Sequence, residues 1–149
     1  MANLVSAAVS PRSRAVAYWA ATAIIAAELA VGGVWDILRI EYVREVLERQ
    51  LGYPTYFAVI MGAWKVPGAV VLLAPRLPRL KEWAYAGAVF TYTGAAASHL
   101  AVGDGTGALG PAGFAVIALA SWALRPTARR ELAPGPGSPE LTRVLEPSR

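Results

Sequence analysis

Four apolar stretches separated by short polar segments decide what this chain can fold into. They run from Ala15 to about Leu38, from Thr55 to Ala74, from Glu82 to about Val102, and from Pro111 to Leu124. Crossing a bilayer core takes about 20 predominantly apolar residues in a helix. The first three stretches reach that length, and the fourth stands at its short limit. Charged residues make up 16% of the 149, against about 25% in an ordinary soluble domain, and they cluster between the stretches. The sequence therefore predicts an all-α protein: a four-helix transmembrane bundle in one domain, residues 15–125. Residues 1–14 form a short cytoplasmic lead and residues 126–149 a proline-rich tail, too poor in apolar residues to offset its ordering entropy and expected to be disordered. The first stretch is too long for a signal-peptide core and is expected to be retained.

Between the first two stretches, Val43, Val46, Leu47 and Leu51 recur at helical spacing, with Glu41, Arg44, Glu45, Glu48 and Arg49 on the other face. This pattern predicts a short amphipathic helix lying on the membrane surface, ended by Gly52 and Pro54. Orientation follows from the basic residues. Ten of the 14 lysines and arginines lie in the lead, the turn after the second stretch and the tail, and three lie in the opposite loops. Both termini are therefore expected on the cytoplasmic side. The net charge of +4 reflects that bias. No basic face with base-reading groups is visible, so nucleic acid is not an expected partner. The chain has no cysteine and one histidine, which excludes thiol chemistry on its own residues and argues against a zinc site.

Three ionisable residues interrupt the apolar runs: Glu28, Lys65 and His99. Glu28 and Lys65 fall at similar depth near mid-membrane. An isolated charge there costs several kcal/mol, so each is expected to turn inward and pair with the other. Pro67 should free the carbonyl of Ala63 beside that lysine. On the third stretch Tyr85, Tyr92 and His99 recur every seven residues and share a face, a ladder suited to a proton or an oxygenated ligand. Gly87, Ala88, Ala95 and Ala96 beside it should let a partner helix approach. Asp36 and His99 fall at the outer ends of their helices and are candidates for an acid–base pair. The candidate catalytic residues are thus Glu28, Asp36, Lys65 and His99, and the candidate ligand-binding residues Lys65, Tyr92 and His99. No metal ligands stand out beyond the single histidine, which on its own suits a haem axial position better than zinc. Trp83 reads as an interfacial anchor, and Trp19, Trp64 and Trp122 read as packing residues.

The segments Gly32-Gly33-Val34-Trp35-Asp36, Trp64-Lys65, Pro75 to Gly87 and Ser98-His99 resemble the DoxX-like family of small bacterial four-span membrane proteins, over about residues 15–125. The resemblance implies a multi-pass protein of the bacterial inner membrane. It brings Asp36, Lys65, Glu82 and His99 over as motif positions without assigned roles. Founding members are similar to subunits of thiosulfate:quinone oxidoreductase. The resemblance therefore implies a quinone- or lipophile-binding component of a membrane redox complex, with lipid, a lipophilic small molecule and a redox protein as partners. Two alternatives stand beside it: a membrane-embedded acid–base enzyme, an isomerase or hydrolase on a lipophilic substrate, and a non-catalytic scaffold.

Overall fold

The computed structural model describes residues 10–125, and these are helical with short connections and no strand. The proline-rich tail and most of the lead lie outside the described residues. Helix α1 (Pro11–Leu38) starts where Ser10 Oγ accepts the Ser13 amide at 3.1 Å and Pro11 takes the first turn. This is the usual chemistry of a capped N-terminus. The helix begins four residues before the apolar run. It ends at Arg39, whose left-handed φ of 48° lets its amide reach Asp36 O.

The amphipathic segment is a single turn, α2 (Glu41–Val43), that runs into a π-helical stretch (Arg44–Gln50). There the Leu51 amide reaches back five residues to Val46 O at 3.0 Å. Its charges satisfy one another: Arg39–Glu48 and Arg49–Glu41 at 2.7 Å, Arg44–Glu41 at 3.1 Å and Arg49–Glu45 at 2.5 Å. The Arg49 guanidinium, with Arg44 behind it, holds the Glu41 carboxyl below its ordinary range. Gly52, at a φ of 73° that suits glycine, turns the chain into α3 (Thr55–Leu73). That helix runs through Pro67 without interruption. Helix α4 (Pro78–Ala101) begins four residues earlier than its apolar run, and α5 (Leu109–Leu124) follows a glycine-rich turn.

Helices α1 and α3 are long and apolar enough, by length and composition, to cross a membrane. Helix α4 is long but more polar, and α5 is apolar with 16 residues. Packing places the helices in the cyclic order α1, α3, α4, α5, so that α1 and α4 lie across a diagonal. The tightest seam is between α1 and α3, where Gly33 faces Gly62. A Cβ on Gly33 would lie 2.9 Å from Val66 Cγ2, and one on Gly62 would lie 2.9 Å from Asp36 Cβ. The backbones therefore approach as small residues allow. The core between the helices holds Ile25, Leu29, Leu72, Tyr85, Ala88 and Ala118. Much of the outer surface is apolar, including Ile24, Val31, Val70, Phe90 and Val116.

Lys81 departs from the sequence reading as part of an exposed basic turn. It is buried on α4, and its Nζ donates to Leu72 O at 2.6 Å, at the end of α3. It lies four residues before Tyr85, on the buried face of the same helix. Arg14 caps the far end of α5 in a similar way, reaching the carbonyls of Ala123 and Leu124 at 3.3 and 3.4 Å.

Candidate functional site

Glu28, Gly32 and Asp36 follow one another at four-residue intervals on α1, so all three lie along one strip of its surface. Lys65 comes from α3 across the tight seam. Its Nζ lies 3.1 Å from Glu28 Oε1 and 3.2 Å from Asp36 Oδ2, bridging the two carboxylates. The ammonium sits over Gly32: a Cβ there would lie 2.8 Å from both Lys65 Nζ and Glu28 Oε1. The other Glu28 oxygen accepts a hydrogen bond from the Tyr92 hydroxyl, which crosses the diagonal from α4. The Lys65 and Asp36 side chains are 10% and 8% exposed, so the cluster is largely withdrawn from solvent. It holds two carboxylates against one ammonium.

The expected pairing of Glu28 with Lys65 is present. The expected pairing of Asp36 with His99 is not: Asp36 bonds Lys65, while His99 Nδ1 bonds Asp104 Oδ2 at 2.9 Å. His99 turns to the α4–α5 turn, and Tyr92 is the α4 side chain that reaches the α1 cluster. The Asp104 carboxyl also takes the Gly107 amide at 2.8 Å and the Thr106 hydroxyl at 3.0 Å. The Gly107 amide, then His99, then Thr106 hold it below the ordinary aspartate range. The tyrosine–histidine ladder is likewise broken into separate stations. Tyr85 belongs to a buried hydroxyl group with Ser121 at 2.8 Å, itself 2.8 Å from Thr22. Tyr92 joins the charge cluster, and apolar Leu29, Ala88 and Ala115 are among the core residues around these stations. Glu82 braces α4 to α5. Its Oε2 accepts Trp122 Nε1 at 2.6 Å, and its Oε1 lies 2.6 Å from the buried Arg125 guanidinium, out of hydrogen-bond alignment. Arg125 also sits 5.8 Å over the Tyr85 ring.

Beside the cluster, α3 and α4 splay apart around a cavity of about 530 Å³. Its α3 wall includes Phe57, Ile60, Met61 and Trp64, and its α4 wall includes Gly87, Thr91, Gly94 and Ala95. Leu47 and Leu51 of the amphipathic segment line one end of it. Tyr53 also lines that end, stacked on Phe57 at 4.2 Å and bonded to Ser98 Oγ at 2.7 Å. Lys65 is the one charged residue in the lining among the described residues. Tyr92 and His99, expected beside it as ligand donors, are not part of the lining.

Two more sequence expectations change here. Of the small residues expected to seat a helix, Ala88 is buried in the core, whereas Gly87 and Ala95 line the cavity with Gly94, and a Cβ on Gly87 or Gly94 would meet nothing within 4 Å. Trp64 lines the cavity and is 78% exposed, as Phe90 is at 75%, and it is not a packing residue. The Gly32 spacer, the second carboxylate on Lys65 and the Tyr53–Ser98 contact escaped sequence reasoning. The four-residue spacing of Glu28, Gly32 and Asp36 was the available signal for the first two.

Comparison with curated proteins and with solved structures gives no match. A family model described as the DoxX-like family matches residues 20–121. That span includes the charge cluster, the cavity and most of every long helix, and on it the chain belongs to the DoxX-like family.

Proposed function

We propose that this protein is a four-helix integral membrane protein of a bacterial inner membrane, both termini cytoplasmic, that binds a lipophilic molecule by an oxygen acceptor in the α3–α4 cavity. The observation that carries this reading is the cavity itself. Its volume of about 530 Å³ lies within the ~300–1,000 Å³ of small-molecule sites, and its mostly apolar walls with a few placed polar groups, Lys65 the charged one, have their usual make-up. Trp64 and Phe90 line it and are largely exposed, so apolar side chains stand where a molecule dissolved in lipid would meet it. Lys65 lines the cavity while Glu28 and Asp36 do not, which favours a carbonyl or an anion over a cation. A quinone fits that description, and a role beside a membrane redox partner follows from it.

Titration of the detergent-purified protein with a short-chain quinone, read by tryptophan quenching, tests the reading. Saturable quenching is expected, reduced in Trp64→Phe and weakened at least tenfold in Lys65→Met, with thermal melts checking that each variant is folded. Unsaturable quenching, or equal affinity in folded Lys65→Met, overturns it. A second reading, an acid–base enzyme on a lipophilic substrate, draws on the hydrogen-bonded series Tyr92–Glu28–Lys65–Asp36, whose members differ in acidity. Turnover of a supplied lipophile, lost in Glu28→Gln, distinguishes it from binding alone.

A further inference from the structure

We propose that the cluster around Lys65 holds one exchangeable proton, seated on Asp36, and that a lipophile bound at Lys65 by an anionic oxygen is taken up together with a further proton. The second half rests on the cavity reading above; the first does not.

Two ionised carboxylates and one ammonium leave the cluster one negative charge in excess, in a site with little solvent. Carboxylates that share a site do not both remain ionised at low cost, and an uncompensated buried charge costs several kcal/mol. One proton restores neutrality. Geometry then says where it sits. Both oxygens of Glu28 are accepting, Oε1 from Lys65 and Oε2 from Tyr92, so Glu28 is solvated as a carboxylate. Asp36 accepts through Oδ2, and no donor reaches its Oδ1 among the described residues. The charged groups facing Asp36 are Lys65 from α3 and Glu28 on its own helix, with the Tyr92 hydroxyl of α4 behind Glu28. Nothing else charged is bonded into the cluster from α4 or α5 among the described residues.

The same balance sets what the cavity takes. A neutral carbonyl or alcohol against Lys65 leaves the neutral cluster neutral. An anionic oxygen makes it negative again, and one proton from solvent closes the account. That proton lies between the ligand oxygen and the cluster, so an acidic lipophile enters as its neutral acid in net terms.

The test for the seat needs no ligand. The chain has two aspartates, Asp36 and Asp104, so labelling aspartate with ¹³C at the side-chain carboxyl is nearly site-specific. In lipid nanodiscs at pH 7, the infrared spectrum of the full chain is expected to contain a protonated-carboxyl band that moves with this label. It should persist in Asp104→Asn and vanish in Asp36→Asn. It should also vanish in Glu28→Gln, where Asp36 alone balances Lys65, and a second protonated-carboxyl band, from Glu28 and unmoved by the aspartate label, should arise in Lys65→Met. Absence of a label-sensitive band in the unaltered protein overturns the seat without any variant having to fold. For coupling, calorimetry with laurate and with dodecanol in buffers of different ionisation heat is expected to give about one proton taken up per laurate and none per dodecanol. Laurate bound with no proton taken up overturns the coupling alone. Failure of both probes to bind overturns the cavity reading and the coupling with it, while the infrared result stands.

Discussion

Gly32 is where a single methyl group separates fold from function. The atoms a Cβ would meet are the tips of two flexible side chains, Lys65 Nζ and Glu28 Oε1 at 2.8 Å, and tips can move where backbone cannot. Gly32→Ala should therefore fold, with a melting temperature close to that of the unaltered protein, because the alanine also gains about 1 kcal/mol of helix propensity. It should nevertheless lose at least tenfold in quinone affinity, since the ammonium is pushed off its bridge. Fluorescence titration and melting curves on the same sample check both halves. The turn after α4 offers a second residue-scale expectation. A carboxyl whose folded pKa lies below its unfolded value adds stability above the unfolded value, and that stability is lost as pH falls through the folded one. Asp104 is such a group. Acidification below the ordinary aspartate range should loosen the turn, and Asp104→Asn should be less stable at neutral pH while losing that part of the acid dependence. Thermal melts across pH read the difference. At this scale the sequence speaks unevenly. The Glu28–Lys65 pair is legible because two lone charges in apolar runs fall at one depth. The share of Asp36 is not, because eight residues of helix rise about 12 Å, and a depth count on the backbone ignores how far a lysine and a glutamate reach to meet over a glycine.

Glycines on neighbouring elements carry opposite meanings. Gly62 of α3 meets the α1 backbone at Gly33 O and has Asp36 Cβ and Ile37 Cγ1 at 2.9 Å from its Cβ position. Gly94 of α4 meets nothing. Gly62→Ala should cost about 1–3 kcal/mol, the usual effect of overpacking a tight contact. Gly94→Ala should raise helix stability by up to about 1 kcal/mol, while its methyl group narrows the cavity and weakens the ligand. Unfolding in denaturant, read by circular dichroism, should move in opposite directions for the two. The sequence cannot make this distinction, because both glycines sit in apolar helices with small residues around them. What separates them is helix order. Apolar length predicts the helices and most of their bounds, but not which side chains meet across the bundle: Tyr92 of α4 reaches the α1 cluster, while His99 turns to Asp104. The early start of α4 was hidden because Lys81 looks like a turn residue until its ammonium is seen to close the end of α3 at Leu72 O.

Across the whole molecule, the distribution of polar groups argues for how the chain sits in its solvent. One end gathers Arg14, Lys81, Glu82 and Arg125, tied to helix ends or to one another. The other carries the self-paired amphipathic segment and the His99–Asp104 turn. Between them the outward side chains are largely apolar, with Trp83 80% exposed near the first end as an interfacial anchor would be. If lipid surrounds this middle zone, a chain of four crossings puts its basic end in the cytoplasm and the turn holding Gly105 outside. The chain has no cysteine, so single cysteines report without background. In intact cells, a cysteine replacing Gly105 should react with a membrane-impermeant maleimide, and one replacing Leu77 should react after the membrane is opened. Alkaline carbonate should leave the protein in the membrane fraction. Labelling of both positions in intact cells, or release by carbonate, would remove the bilayer from the argument. With it would go the reason for the cavity to be filled from lipid. Labelling on opposite sides would instead set Asp36 and Tyr53 toward the outer face, and would make that face the source of the proton held behind Lys65.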